Sequence, residues 1–186
     1  MSVLPNHLGG HENRTHVDES TLDYLLDKFD IRSMYDIGCG PGGMVGLALS
    51  KNIQVSGIDG DFTIKYPDTI KNNIIIHDFT QGPILLSPRD LSWSCEFLEH
   101  VDEKYMNNYF SVFTVTKVVC CTFCDKHGTG HHHVNIKNQN YWDKKFAEFN
   151  FSKDEASTKF IRNNSSMIRD FMRQTGTVYI NNEYTR

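Results

Sequence analysis

Leu22, Leu25, Leu26 and Phe29 recur at i, i+3, i+4 and i+7, the spacing that lays one apolar stripe along a helix. Thr15 with Asp18 three residues on predicts a capping box at its start. Met34–Ile37 then reads as a short strand and Met44–Leu49 as a helix. Ile53–Asp59, Asn73–His77 and Asp90–Ser94 read as three further strands, the last behind a connector holding Pro83 and Pro88. Val101, Tyr105, Tyr109 and Phe113 fall at helical spacing and predict one helix over Phe97–Thr116. Lys117–Phe123 is an unalternating β-branched run, as expected of a strand buried on both faces. "NYWDKKFAEF" returns to helix, with Trp142, Phe146 and Phe149 on one side. A short strand near Phe151, a helix from Glu155 to Gln174 and a last strand over Thr177–Asn181 complete the pattern.

Strands alternating with helices predict an α/β three-layer sandwich, with a mostly parallel seven-stranded sheet and an antiparallel last strand. The 186 residues suit one domain. It divides into a polar leader or lid over 1–17, a core over 18–124, and substrate-side elements over 125–186. No run approaches the roughly 18 apolar residues of a membrane span, and the first residues lack the pattern of a secretory signal. Five cysteines inside apolar runs suggest reduced thiols and a cytoplasmic setting. In "CCTFC" no second cysteine pair supports zinc. The formal net charge is −4, with no basic block, which favours small-molecule partners over nucleic acid.

In such sheets ligands lie beyond the carboxyl ends of the strands. The first strand runs into Asp36-Ile-Gly38-Cys39-Gly40-Pro-Gly42-Gly43, which opens a helix. Glycines there let the backbone turn tightly and approach a ligand closely. Asp59 ends the next strand, placed to accept ribose hydroxyls. The dinucleotide fingerprint is G-x-G-x-x-G, whereas the spacing here is G-x-G-x-G with an aspartate two residues ahead. A carboxylate beside the loop would repel a pyrophosphate but can hold the amino group of a methionine moiety. S-adenosylmethionine is therefore the expected cofactor, and S-adenosylhomocysteine its product.

"DIGCGPGG", "GID", "HDFT" and "DLSWSCEFLEHV" resemble, in order and spacing, the successive motifs of class I S-adenosylmethionine-dependent methyltransferases, over Ser33–Phe123. "LGGHENRTHVDE", "CGPGGMV" and "GHHHVN…YW" are similar to small methyltransferases encoded by tailed bacteriophages, which would place the chain in a host cytoplasm. The resemblance implies a Rossmann-like fold. It also implies that Asp36, Gly38, Cys39, Gly40 and Gly42 hold the methionine part and that Asp59 and Gly60 border the ribose. Asp78 and Phe79 would contact adenine, and Ser94 would line the methionine pocket. Many members carry a bulky apolar residue after the ribose acid, to stack on adenine. Here Gly60 stands there, with Phe62 or Ile64 as substitutes.

Loops after the fourth and fifth strands should meet the acceptor, an oxygen or nitrogen of a small molecule. Three adjacent histidines in "KHGTGHHHVN", His131, His132 and His133, are the candidate catalytic bases. No metal is assigned, although Glu96, Glu99 and His100 form E-x-x-E-H. On one helical turn, with a histidine of that loop, they could hold a divalent ion. That arrangement is similar to plant small-RNA 2′-O-methyltransferases and some quinone O-methyltransferases. The D/N-P-P-Y/F signature of exocyclic base methylation is absent, "SCEF" standing in its place. A nucleotide or nucleic-acid methyltransferase and a non-catalytic cofactor binder remain alternatives. Tyr141–Trp142, the leader's His11 and His16, and Arg162, Arg169 and Arg173 are weaker candidates for pocket contacts.

Overall fold

The computed structural model describes residues 3–126 and 130–185. Its sheet has seven strands: β1 (Ser33–Ile37), β2 (Gln54–Asp59), β3 (Ile74–Ile76), β4 (Arg89–Ser94), β5 (Thr116–Cys121), β6 (Phe151–Lys153) and β7 (Thr177–Asn181). The order is β3-β2-β1-β4-β5-β7-β6. β7 pairs antiparallel with both β5 and β6, and the remaining pairs are parallel. The expected mixed sheet is present. Chain direction reverses its walk across the sheet between β1 and β4, which leaves a crevice at their carboxyl ends.

Period-2 alternation sends neighbouring strand residues to opposite faces. Met34, Val55, Leu91, Trp93, Val118 and Cys120 meet α1 (Glu19–Phe29), α2 (Gly43–Ser50), α5 (Glu155–Asn164) and α6 (Phe171–Thr175). Tyr35, Ile37, Ile58, Val119, Cys121 and Tyr179 meet α3 (Met106–Phe113) and α4 (Gln139–Glu148). That second core is aromatic: Phe146 stacks on Tyr179 at 3.8 Å between centroids and on Phe113 at 5.6 Å. Among the described residues no helix is long and apolar enough to cross a membrane.

Three sequence expectations are corrected. Asp18, not Thr15, caps α1, its carboxylate accepting the Thr21 N–H at 3.1 Å. The helix expected over Phe97–Thr116 is two 3₁₀ turns, Leu98–His100 and Glu103–Tyr105, followed by α3. Glu96 takes a left-handed φ of 55°, and Val101 is extended between the turns. Asp102 then starts the chain again by accepting the Lys104 N–H at 3.1 Å. The helix expected from Glu155 to Gln174 is α5 and α6, joined by a non-helical link. The buried Asp18 carboxylate also accepts the Ser166 N–H at 3.0 Å and the Ser166 hydroxyl at 3.1 Å, pulling that link out of helical geometry.

Asp18 thus fastens the link to the start of α1. Asp18→Ala removes a helix cap and orphans buried donors, costing about 2 kcal/mol or more. For a chain of this length the thermal midpoint should fall by roughly 4–8 °C. A midpoint within 1 °C of wild type would show that the hub carries no stability.

Candidate active site

Beyond the β1–β4 crevice lies one cavity of about 340 Å³, and it gathers residues from both ends of the chain. Its floor is the loop after β1. Gly38, Gly40 and Gly42 have φ of 70°, 48° and 82°, left-handed values that a side chain would strain. A Cβ at Gly38 would stand 2.6 Å from the Phe97 ring. The Gly38 and Cys39 amides donate to Ile58 O at 2.8 and 3.2 Å, tying the loop to β2. The Gly40 amide donates to Asp59 Oδ2 and the Asp61 amide to Asp59 Oδ1, both at 2.8 Å. Each Asp59 oxygen therefore keeps a lone pair for a ligand hydroxyl.

Asp36 is the electrostatic centre of this floor. Its buried carboxyl accepts no hydrogen bond among the described residues. Burial, and secondarily the Asp59 charge, push its pKa up to about 8. Burial also raises Asp59, partly offset by the Asp61 and Gly40 amides. Two desolvated acids facing one cavity favour a cation between them.

The leader forms the roof. His7 Nε2 lies 3.0 Å from Asp78 Oδ2, and His11 Nε2 lies 3.0 Å from Asp61 Oδ2. His131 Nε2 lies 2.8 Å from Asn6 O, joining the leader to the histidine loop. Burial would raise the Asp78 carboxyl, but bonds from Thr80 and His7 outweigh it and hold the group below its usual range. Phe79 is buried beside Asp78, edge-on to His77 and Phe97.

The loop after β4 and the histidine loop bring together Glu96, Glu99, His100 and His133, of which Glu96, His100 and His133 line the cavity. Ligand atoms of Glu99, His100 and His133 all lie within 4.8 Å of one another. Glu99 is fully buried with neither oxygen partnered, and the buried His133 Nδ1 is also unpartnered. Burial, then the neighbouring Glu96, push Glu99 well above the usual carboxylate range, while burial lifts Glu96 to about 7 against the opposing effects of Glu99, Thr122 and the Arg169 charge. Burial, then His133, depress His100 to about 4. The Val134 and Asn135 amides donate to Glu99 O at 2.9 and 3.0 Å, so the backbone itself carries His133 to this cluster.

Asp36, Gly38, Cys39, Gly40, Asp59, Gly60, Asp78 and Phe79 all line the cavity; Gly42 and Ser94 do not. Gly42 instead caps α2, where a Cβ would meet Ile70 at 2.6 Å. The Ser94 hydroxyl donates to Ile37 O at 3.3 Å, stitching β4 to β1. The three histidines divide: His133 joins the acid cluster and His131 holds the leader. His132, exposed at a left-handed φ of 50°, lies outside the cavity wall. Residues 127–129 of their loop lie outside the described residues. Glu96, Glu99 and His100 converge from an irregular turn, not from one helical turn. Arg162 and Arg173 are committed to backbone and side-chain partners. Arg169 lines the cavity with no hydrogen bond or ion pair among the described residues, its charge acting on His16 and on the Glu96 carboxyl. Trp142 is core, and Tyr141 lies outside the cavity. Sequence reasoning did not identify His7 and Leu8. Their signal was a leader dense in histidine and glycine.

No protein-family model and no curated protein sequence matches the chain. Solved structures do. The methyltransferase domain of bacterial CtHen1 superposes with a TM-score of 0.58 at 14% identity, over 92% of this chain and 98% of that one. Magnesium protoporphyrin IX methyltransferase from Synechocystis PCC 6803, with bound S-adenosylhomocysteine, gives 0.58 at 14% identity, over 87% and 78%. The fold is that of the class I methyltransferases. The [4+2]-cyclase SpnF also shares it, with a TM-score of 0.56 at 13% identity over 87% and 78%. Chemistry must therefore be read from the site and not from the fold.

A stability signature follows from Asp36. Unfolded, the carboxyl ionises near 3.8, whereas folded it keeps its proton to about 8. Stability is accordingly lost as pH rises between those values. Asp36→Asn should raise the thermal midpoint, by a margin that widens from pH 5 to pH 8. A margin equal at both pH values would contradict the assignment.

Proposed function

We propose that the chain is an S-adenosylmethionine-dependent methyltransferase acting on an oxygen or nitrogen of a small acceptor, with a hydroxyl oxygen favoured. The observation that carries this reading is the unpaired Asp36 beneath a glycine loop that Asp59 ties down, in a cavity continuous with Glu96, His100 and His133. Backbone without side chains leaves room for the methionine part along Gly38–Gly40. Asp36 attracts its ammonium, and Asp59 offers lone pairs to the ribose. Asp78 and Phe79 stand at the adenine end. The leader over 1–17 serves as a lid on the donor.

The sulfonium is already a strong electrophile, so the protein's task is to hold donor and acceptor in line and exclude water. Positioning of this kind can supply roughly 7–11 kcal/mol. The chemistry of the acceptor cluster fits a divalent metal: two acids, Glu96 and Glu99, held toward their protonated forms by burial and, for Glu99, by the Glu96 charge, stand beside two imidazoles, and a cation would let them ionise. Glu99, His100 and His133 would hold it, with Glu96 alongside, and when bound it would polarise an acceptor hydroxyl. His133 is then a ligand rather than a free base, while His131 and His132 serve the loop and lid. Arg169, which lines the cavity and whose charge acts on Glu96 but which makes no hydrogen bond there, favours an acceptor that carries an anionic group. The likeness to phage-encoded members and a cytoplasmic setting belong to this same reading.

Untagged protein should bind about one equivalent of Mn²⁺ per chain in calorimetry. Glu99→Gln and His133→Ala should lose that binding, and His132→Ala should keep it. Transfer of a tritiated methyl group from labelled donor into small-molecule fractions of cell extract should follow the same pattern. Metal bound equally by all variants would remove the centre. Transfer abolished by nuclease would move the acceptor to nucleic acid, and donor binding without any transfer would leave a binding protein. Once an acceptor is in hand, Arg169→Ala should raise KM for its anionic form about tenfold or more and leave donor affinity unchanged. An unchanged KM would dismiss the anion.

A further inference from the structure

Gly60 follows the ribose-side acid, so the chain has no side chain of its own there to cover a base. Neither Phe62 nor Ile64 fills the gap. Phe62 is 45% exposed, and neither residue lines the cavity. What lies against Gly60 comes from the leader: a Cβ at that position would stand 2.7 Å from Leu8 Cδ2 and 3.3 Å from Asp78 Cα. Leu8 lines the cavity and is half-buried.

Its placement is built. A turn closes behind it, the Leu8 amide donating to Pro5 O at 3.0 Å. His7, one residue before, is fixed to Asp78, and His11, three after, is fixed to Asp61, each at 3.0 Å. Between them Gly9 takes a φ of 81°, with Leu4 packed 2.8 Å from where its Cβ would be. The Leu8 side chain is thus bracketed by two imidazole–carboxylate clasps that grip the segments following β2 and β3. Phe79, on the β3 side of the same cavity, offers the other large apolar surface near Asp78.

We propose that Leu8 is an adenine-contacting residue, supplying from the leader the apolar face that Gly60 lacks, and that the His7–Asp78 and His11–Asp61 pairs are its positioning contacts. This rests on the donor reading above. A flat, weakly polar base gains from being covered on both faces, and a fully buried leucine side chain contributes a sizeable share of such a contact. Gly60 is then required for a reason other than backbone freedom. A side chain at that position would compete with Leu8 for the same space.

The test is S-adenosylhomocysteine affinity of the full chain, by calorimetry, with thermal midpoints measured alongside. Leu8→Ala should weaken binding about tenfold with the unliganded midpoint within about 2 °C, since the leader sits outside both cores. Leu8→Met should restore most of the affinity, which a general loosening of the leader would not allow. Gly60→Val should make Leu8 dispensable or displaced, so that adding Leu8→Ala to it costs much less affinity than Leu8→Ala alone, because the two positions share one contact. The His7→Ala/His11→Ala double variant should lose affinity while leaving every ligand-facing carboxylate in place. If wild type binds and Leu8→Ala binds equally well, the inference falls and the donor reading stands. If wild type itself does not bind, the donor reading falls.

Discussion

Two carboxylates in apolar surroundings, Asp36 and Asp59, set the terms for the rest of this molecule. Each is costly to bury ionised, and they face the same space. Asp59 meets that cost with two backbone amides, one of them from the glycine loop, so this acid also holds the loop in shape. Asp36 has no such relief and keeps its proton to about 8. The fold therefore carries a standing electrostatic debt at the β1 terminus that a cationic ligand would cancel. The same logic recurs across the cavity, where Glu99 is buried with both oxygens unpartnered beside His100 and His133. At both places positive charge would be stabilised by acids that water does not reach.

The leader connects these two ends. His7 and His11 fasten it to the acids after β3 and β2, and Asn6 receives His131 from the loop that also carries His133. The glycine-loop side and the histidine-loop side of the cavity are thus joined through one short segment that contributes to neither core. Elements that must open for ligands come from the weakly packed parts of a structure. Here the fastenings are polar pairs rather than buried apolar contacts.

Much of the sheet was legible because its strands are short apolar runs set between helices and turns, and the order of motifs put the glycine loop and Asp59 at the carboxyl ends of β1 and β2, where the structure has them. What misled was periodicity read past a break. Val101, Tyr105, Tyr109 and Phe113 keep helical spacing, but Glu96 turns left-handed and Asp102 starts a new segment, so only Met106–Phe113 is α-helix. The late helix was over-extended for a different reason: Asp18, almost 150 residues away in the chain, captures Ser166. Local spacing holds no record of such a contact. The histidine clasps are hidden in the same way, since their partners lie 50 and 71 residues away. Ser94 and Gly42, in motif positions, stand outside the cavity wall and hold strand and helix geometry.

The most direct measurement is calorimetric titration of the purified protein with S-adenosylhomocysteine at pH 7, repeated in buffers of different ionisation enthalpy. A protonated Asp36 that meets the ligand's ammonium must give up its proton. The apparent heat should therefore shift between buffers by an amount corresponding to roughly 0.5–1 proton released, and Asp36→Asn should abolish that dependence. Saturable binding with the same heat in every buffer would contradict the role given to Asp36, and no binding at all would contradict the account as a whole.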